Sequence, residues 1–491
     1  MRFPRIVSAA VVLLSFWFWF GMAKPARAKR NPAAPRALPP LIFVVAPTVV
    51  PGGLAGRFPR GSHLALLSPA APAKAPADLT PLFFAAADPA VSFDASHVLF
   101  SGQKTRGGRW QIWEMSVDGG GQRQLTNCPG NCFRPIYLPQ NQIAFTVVSE
   151  PAAGQKGTRG ASAIYVAQED GANAHPITFG PGNFQVETVL HDGRLLVSAT
   201  DPLQAGARSD ARVFYTLRPD GSGLSLFPSD APSSMAESGG EELDDGTVLF
   251  VERQDPRGRE SGGQLAWIRP GALHARAITS AKFVSWSAHA LDEGRLIVAR
   301  EAVNSSAGRG TFGLYAYDLS TKSFGETIYL DPKLSSVEPV PVEVGPIPLI
   351  YWSVLHPDRD YGRVVCLNAY LSGDGPQVHG RPRIARVRVV ALEGDGRAKR
   401  VLGDAPVESD GSFYIKVPAN LPLRFELLSR SGSVLRAQRS WIWARNGEDV
   451  GCLGCHEDKA LTPEDHWPLA LKRLDTPIPV GLGAQAKPEG H

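Results

Sequence analysis

The sequence predicts an all-β protein, with a six-bladed β-propeller followed by a small β-sandwich and a short C-terminal segment. Three observations lead to this fold class. The 491 residues include 50 glycines and 42 prolines, which is typical of chains with many short strands and turns. A strand pattern recurs about every fifty residues, the spacing of propeller blades. Helical periodicity is missing, which argues against a solenoid of helix pairs.

The chain begins with a predicted export signal at residues 1–28. Residues 1–5 are short and basic, residues 6–23 are apolar, and Ala26-Arg27-Ala28 has the small residues that signal peptidase requires. Cleavage would leave a soluble periplasmic chain without stable membrane insertion. The alternative is that the apolar run stays attached and anchors the protein in the bilayer. Residues 29–40 are basic and proline-rich, and they are predicted to form a flexible lead-in.

The propeller is predicted over residues 41–360. In each repeat a short strand leads to a Leu-Thr or Ile-Thr pair, or to a looser copy of it. The six repeats end at Thr80, Thr126, Thr178, Phe227, Thr279 and Thr327. Hairpin turns are predicted at Asp192-Gly193, Asp245-Gly246 and Glu293-Gly294, because glycine suits the positive φ of a tight turn. About four short strands per repeat predict propeller blades, with a run of β-sandwiches as the alternative. The ring is predicted to close within residues 339–353.

Three cysteines fall outside the C-terminal segment. Cys128 and Cys132 are four residues apart in a long inter-strand turn, and in an exported chain this spacing predicts a disulfide. The alternative, a metal or redox pair, lacks a neighbouring histidine. Cys366 lies in an apolar run and is predicted to be a small buried side chain.

A β-sandwich is predicted over residues 361–445. Four segments have strand patterns, namely residues 363–371, 386–392, 412–417 and 423–428. Asp410-Gly411 predicts a hairpin before the third of them. Residues 440–445 then form a predicted aromatic strand that leads to the C-terminal segment, residues 446–491.

That segment contains Cys452-Leu-Gly-Cys455-His456. Two cysteines at this spacing can each form a thioether with one haem vinyl group, and the adjoining histidine can bind the iron. The pattern therefore predicts one covalent haem c, held by Cys452 and Cys455 with His456 as the proximal iron ligand. A zinc site would need a second Cys/His pair, and a thioredoxin-like pair would need a βαβ context. A plain disulfide would leave His456 unexplained.

Several residues could supply the sixth ligand of the iron. His466 follows His456 by ten residues and is a possible sixth ligand, although its neighbours equally suit a surface turn. Weaker candidates are His289, His356 and His491. Met115 and Met235 lie within the predicted propeller, and a His/Met site is disfavoured because Met115 follows the blade pattern. Trp441 and Trp443 are candidates for packing on the porphyrin edge, with a place in the ordinary sandwich core as the alternative for one of them.

The succession of leader, propeller with Asp-Gly turns, short sandwich and aromatic strand resembles the family of the hydrazine synthase alpha subunit. The most specific pieces are residues 440–443, the run from Cys452 to Asp458, and Leu461-Thr462-Pro463-Glu464. The resemblance implies a propeller that carries a c-type haem, with other haem-bearing subunits as possible partners. This chain also departs from the family pattern. The family's alpha subunit carries two haems, one ligated by a tyrosine shortly after its motif, whereas residues 457–461 here contain no tyrosine.

Two functional classes fit these patterns best. The first is an exported monohaem c-type cytochrome that transfers electrons, with the propeller as a docking platform for a periplasmic redox partner. The second is a haem enzyme that acts on a small nitrogen or oxygen compound at a five-coordinate iron. A weaker third is a binding module with an accessory haem. The first is favoured because no catalytic motif is recognisable. The net charge of +4 without a basic stripe argues against nucleic acid as a partner.

Overall fold

The computed structural model describes residues 37–50, 54–69, 75–149, 161–200, 212–227, 236–252, 262–272, 275–280, 282–292, 294–302, 311–371, 383–393, 398–438, 440–454 and 467–482. Their strands form eight four-stranded sheets. Two short 3-10 helices, Leu54–Gly56 and Leu469–Lys472, are the only helices in these ranges, which confirms the all-β prediction. Neither is long or apolar enough to cross a membrane.

Six sheets are the predicted propeller blades, and their strands run outward from the centre of the ring. Numbered in chain order, the strands of blade I are β24 (Ser335–Pro341), β1 (Leu41–Ala46), β2 (His63–Leu67) and β3 (Ala77–Asp78). Blade II has β4 (Ala85–Val91), β5 (His97–Gln103), β6 (Trp110–Ser116) and β7 (Arg123–Gln124). Blade III has β8 (Asn131–Leu138), β9 (Gln142–Val148), β10 (Ser162–Gln168) and β11 (His175–Pro176).

The remaining three blades repeat this order. Blade IV has β12 (Gln185–Val189), β13 (Leu195–Thr200), β14 (Arg212–Leu217) and β15 (Ser225–Phe227). Blade V has β16 (Ala236–Glu242), β17 (Val248–Glu252), β18 (Gln264–Ile268) and β19 (Arg276–Ala277). Blade VI has β20 (Ser285–Asp292), β21 (Arg295–Glu301), β22 (Phe312–Asp318) and β23 (Ser323–Tyr329). Because β24 pairs antiparallel with β1, blade I joins the two ends of the propeller sequence and closes the ring.

The threonines that mark the repeats have a structural role in four blades. Each lies two residues after the short fourth strand of its blade, and its hydroxyl oxygen accepts a hydrogen bond from a backbone N–H of the third strand. The pairs are Leu64 to Thr80, Ile112 to Thr126, Ile164 to Thr178 and Leu265 to Thr279, each with an N–O distance of 2.9 Å. The hydroxyl thus satisfies a buried donor of the third strand just beyond the end of the short fourth strand, which explains why the motif recurs.

After β24 the chain forms an extended segment, the strap (residues 342–356), across one mouth of the propeller. Its backbone N–H groups at Gly345 and Leu349 donate to the carbonyls of Phe93 and His191, both at 3.0 Å. The turn at Gly193, where φ is +85°, lies directly beneath it, and a Cβ there would be 2.0 Å from the Leu349 carbonyl oxygen. The strap can therefore approach this turn so closely only because residue 193 has no side chain.

We expect Gly193→Ala to lower the free energy of unfolding by about 2–4 kcal/mol, since the new methyl group combines an unfavourable positive φ with a clash against the strap. Gly271→Ala is the matched control, because Gly271 has φ +74° and open space around its Cβ position; a loss of about 1 kcal/mol is expected there. Equal losses in urea unfolding of the two variants would contradict the close contact with the strap.

The last two sheets face each other as the predicted sandwich. One contains β31 (Asp449–Cys452), β25 (Tyr361–Cys366), β28 (Phe413–Pro418) and β32 (Ile478–Pro479). The other contains β27 (Ala398–Pro406), β26 (Arg386–Glu393), β29 (Leu423–Leu428) and β30 (Val434–Ala437). Their core holds Val387, Val389, Ile415, Phe425 and Cys366. The buried Cys366 agrees with the sequence prediction, and a disulfide joins Cys128 to Cys132 with a Cα–Cα distance of 6.5 Å, also as predicted.

Two local predictions were wrong. The Asp410-Gly411 turn does not form a hairpin, because the strands on either side of it, β27 and β28, belong to different sheets; Gly411 does have the expected positive φ, at +86°. Residues 440–445 do not form a strand, since only Ile442 bridges to Leu423. Instead the segment runs between the two domains: Trp443 and Arg445 bond to the propeller, whereas Trp441, Ile442 and Ala444 pack on the sandwich.

Candidate functional site

A cavity of about 510 Å³ lies between blade IV of the propeller and the sandwich. The propeller side consists of residues around Gly180, Phe184, Tyr215 and Leu224–Leu226, which are mostly apolar. The sandwich side consists of residues 440–443 and 448–452. We call this space the interdomain cavity. A largely apolar space of this size between two domains is typical of sites for small molecules and cofactors.

Cys452 lines this cavity at the end of β31. That strand runs parallel to β25, and its pairing sets Cys452 opposite Cys366. The Cys452 carbonyl accepts a hydrogen bond from Leu367 N–H at 2.9 Å, so the backbone at this position is held firmly. The side chain is half-buried. A Cβ added at the neighbouring Gly451 would meet nothing within 4 Å, which means that there is free space beside the cysteine.

Trp443 forms part of the cavity wall and joins the two domains. Its indole N–H donates to the carbonyl of Gly221 at 3.0 Å, and its ring makes edge contacts with Phe184 and Phe179 at centroid distances of 5.5 and 6.1 Å. Only 4% of the residue is exposed. It therefore belongs to the core of the propeller near blades III and IV, and not to the sandwich core.

Trp441, two residues earlier, lines the same cavity but packs differently. It covers Val390 and Leu392 on the outer face of β26, and the Arg424 guanidinium lies 5.8 Å from its ring centroid. The Trp441 Nε1–H is buried and has no acceptor among the described residues. A buried N–H without an acceptor costs free energy, so its presence at the wall of a cavity suggests that an acceptor from a ligand belongs there.

The polar groups at the rim hold the two domains together. Glu448 accepts backbone N–H bonds from Gly223 in the propeller at 2.9 Å and from Arg445 at 2.7 Å. Burial raises the pKa of the Glu448 carboxyl, although these N–H groups oppose the shift. Burial also lowers the pKa of the Arg445 guanidinium, against the charges of Asp220 and Glu448. Asp449 pairs with Arg363 at 2.6 Å. Both carboxylates are thus already engaged by the protein.

These residues fit a covalently attached haem. The macrocycle is large and apolar, and Phe184, Tyr215, Ile442 and the two tryptophans provide apolar cover for it. Cys452 places a sulfur at the cavity, and the unsatisfied Trp441 N–H suits a carboxylate such as a haem propionate. Cys452 and Cys455 would hold the vinyl-derived carbons, and His456 would bind the iron.

The other predicted ligands fall in different places. Cys455, His456, His466, Met235 and His491 lie outside the described residues. His289 lies on β20 and lines the propeller channel, where its Nδ1 is 3.1 Å from Glu241, and Met115 is buried in β6. His356 is exposed at the end of the strap. None of the last three lines the interdomain cavity, and the described residues contain no cluster of three or more His, Cys, Asp or Glu with the arrangement of a metal site.

The propeller side of the cavity was not predicted from the sequence. Gly180, Gly182, Phe184 and the turn at Gly223–Leu226 come from the second half of the repeats in blades III and IV. One signal was available: Phe179-Gly-Pro-Gly-Asn-Phe184 carries an aromatic residue at each end of a Gly-Pro turn, where the other repeats have no such pair. Contact between this turn and Trp443, more than 250 residues later, depends on tertiary structure.

Comparison with known proteins finds a family model that matches part of this chain. Residues 383–457, which include Cys452, Cys455 and His456, match the family model of the hydrazine synthase alpha subunit middle domain. Hydrazine synthase subunit alpha of Kuenenia stuttgartiensis is 22% identical over 497 aligned residues, which cover 77% of this chain and 60% of that protein. This chain therefore spans less than two thirds of the length of that relative.

One solved structure shares the fold of this chain. The structure of Kuenenia stuttgartiensis hydrazine synthase superposes with a TM-score of 0.75 at 20% identity, over 89% of this chain and 71% of that chain. TolB from Acinetobacter baumannii superposes with a TM-score of 0.43 at 14% identity, over 61% of this chain and 66% of that chain.

Proposed function

We propose that this chain, which is related to the hydrazine synthase alpha-subunit family, is an exported monohaem c-type cytochrome-like protein that transfers electrons. The observation that carries the proposal is Cys452, the first cysteine of the C-x-x-C-H motif, at the end of a sandwich strand and on the wall of an apolar interdomain cavity. A haem c attached there would supply one-electron oxidation and reduction.

The residues of the cavity favour electron transfer over acid–base catalysis. Its two described carboxylates, Glu448 and Asp449, already accept bonds from backbone N–H groups or from an arginine. The tryptophans and Phe184 line the cavity and would cover part of a bound haem, and a fixed, less aqueous surrounding lowers the reorganisation that accompanies a change of charge. The chain's own contribution is therefore attachment, orientation and exclusion of water.

The strap supports the proposed role of the propeller as a docking platform. Residues 344–354 contain no charged side chain, yet Val344, Ile347, Leu349 and Trp352 are 68–76% exposed. An exposed apolar stretch of this length marks a contact surface for another protein. Ser353 in the strap donates to Asp220 at 2.8 Å, and the next residue, Gly221, accepts the Trp443 bond. A redox partner on the strap would thus lie beside the wall of the interdomain cavity.

The proposal is tested by maturing the full chain with export and cytochrome c attachment machinery and measuring covalent haem by its pyridine haemochrome spectrum. We expect about one haem per chain, and a complete loss of double thioether attachment in Cys452→Ala and Cys455→Ala. Cys366→Ala is the matched control, because this cysteine is buried in the sandwich core and should not change the haem content.

Carbon monoxide then separates the two functional classes. A low-spin spectrum that the gas does not alter indicates two strong axial ligands and an electron carrier, whereas a high-spin haem that binds the gas would contradict electron transfer as the main role. No covalent haem in the matured chain would overturn the proposal altogether.

A further inference from the structure

The propeller contains a second cavity, of about 390 Å³, in the channel at the centre of the ring. It is lined by the innermost strand of every blade, and the strap covers it with Gly345, Pro346 and Pro348. The residues that line this channel cavity and the interdomain cavity do not overlap. A ligand in the channel would therefore not compete for space with a haem in the interdomain cavity.

Most of the charge in the channel is neutralised internally. Arg57 pairs with Asp88 and with Glu338, and Arg134 pairs with Glu187 at 2.7 Å. The remaining oxygens of these carboxylates accept further bonds, such as that from Ser101 to Asp88 at 2.7 Å and that from Ser198 to Glu187 at 2.6 Å. These five residues form a closed network whose role is to hold the inner strands together.

Two histidine–glutamate pairs in the channel are not part of that network. Adjacent residues of β16 provide the carboxylates: Glu241 lies 3.1 Å from His289 Nδ1 of blade VI, and Glu242 lies 3.6 Å from His191 Nδ1, just after β12 of blade IV. The side chain of His191 is 41% exposed and that of His289 is 33% exposed. Both line the cavity. Neither Nε2 has a partner among the described residues.

The chemistry of these pairs specifies the kind of ligand. A neutral His289 whose Nδ1–H donates to Glu241 presents an unprotonated Nε2, which accepts a hydrogen bond. His191 Nδ1 is 3.6 Å from Glu242, so this ring lies beside its carboxylate without a hydrogen bond to it. Burial alone would lower the pKa of His289, but the charge and hydrogen bond of Glu241 and the charge of Glu343 outweigh it and raise the pKa. The five carboxylates of Asp88, Glu187, Glu241, Glu242 and Glu338 outnumber the guanidinium groups of Arg57 and Arg134 by three around the channel.

We propose that the channel cavity binds a small organic cation with a primary ammonium group, held between His191, His289 and the carboxylates of Glu241 and Glu242. An ammonium offers three donors to these acceptors and balances their charge. The apolar part of the ligand would pack on the remaining wall, which includes Ala90, Val91, Phe93, Ile136, Val189 and Val340. The strap closes the site on one side, so the ligand must be compact.

The test uses benzylamine as the probe, with benzyl alcohol as a neutral probe of nearly the same shape. Calorimetric titration of the full chain at pH 8 should show binding of benzylamine at least tenfold tighter than binding of benzyl alcohol. The double variant Glu241→Gln and Glu242→Gln should weaken benzylamine binding at least tenfold. Glu326→Gln, which removes one exposed carboxylate on β23, should leave it unchanged.

Thermal unfolding of each variant checks that the fold is retained, and the single variants Glu241→Gln and Glu242→Gln serve if the double variant does not fold. The inference is overturned if benzylamine does not bind, if the alcohol binds equally well, or if Glu326→Gln weakens binding as much as the channel variants do. The last result would mean that the amine responds only to the overall surface charge.

Discussion

Replacement of Arg57 by methionine should lower the free energy of unfolding by about 3–5 kcal/mol, because it removes the arginine that pairs with the buried Asp88 and the half-buried Glu338. The Arg57 guanidinium bonds to Asp88 on β4 and, at 3.1 Å, to Glu338 on β24. Arg57 itself lies between β1 and β2, and its side chain is 7% exposed. One side chain thus links blade II to both parts of blade I, where the ring closes.

The pH dependence of this loss identifies its cause. Burial raises the pKa of Glu338, with Arg57 opposing the shift. Ionised Glu338 therefore lowers the stability of the fold at pH values above its ordinary pKa of about 4.3. Burial would also raise the pKa of Asp88, but the charges of Arg57 and Arg134 outweigh it and lower the pKa. Ionised Asp88 therefore stabilises the fold above about pH 3.9, and this stabilisation is lost as the pH falls below that value.

In Arg57→Met both carboxyl groups should bind protons more readily. The difference in stability between wild type and variant should therefore shrink as the pH falls from 7 toward 4, measured by urea unfolding at each pH. Arg400→Met is the control: Arg400 pairs with Glu393 on the surface, and its loss should cost less than about 1 kcal/mol. A difference that does not change with pH would point to lost packing as the main effect.

The repeat pattern made the propeller predictable, because each blade forms from strands that are neighbours in sequence. The Leu-Thr pairs and the Asp-Gly turns depend on local geometry: Thr126 satisfies a backbone N–H of the adjacent strand, and Gly193 and Gly246 have the positive φ that their turns require. The count of six blades follows from these signals. The Cys128–Cys132 disulfide was predictable for the same reason, since it closes a local loop.

The channel network was not predicted, although the sequence contains a trace of it. Asp88, Arg134, Glu187 and Glu338 occupy equivalent places on the inner strands, at irregularities of strand pairing, and three of them precede a proline. A charged residue at one place in several blades makes sense only when the blades are arranged in a ring, where opposite charges meet. Which carboxylate meets which arginine depends on the closed structure, and no local rule provides it.

The interdomain cavity likewise depends on contacts between residues far apart in the chain, which local sequence patterns do not reveal. The sequence identified Cys452 and suggested Trp441 and Trp443 as cover, but the partners of the tryptophans lie far away in the chain. Trp443 could be assigned to the propeller only once the Gly221 carbonyl and Phe184 were seen beside it. The aromatic segment was taken for a strand because its residues alternate, and it is instead a connection between two domains.

Trp443→Ala should therefore affect two properties at once. Removal of a buried indole from the propeller core is expected to cost about 3–5 kcal/mol, because it opens a void beside Phe184 and leaves the Gly221 carbonyl without its donor. The same change removes part of the wall of the interdomain cavity. In matured protein, covalent haem should still form through the cysteines, but its absorption bands should broaden and its reduction potential should fall as water enters.

Two further variants separate these effects. Trp443→Phe keeps one aromatic ring and loses the hydrogen bond and the second ring, so it should cost about 1–3 kcal/mol, less than Trp443→Ala, and leave the haem spectrum close to that of wild type. Trp352→Ala removes a tryptophan that is 76% exposed on the strap, and it should change neither stability nor spectrum. If Trp443→Ala lowered stability but left the potential unchanged, Trp443 would join the domains without shielding the haem, and the cofactor would have to be sought away from this wall.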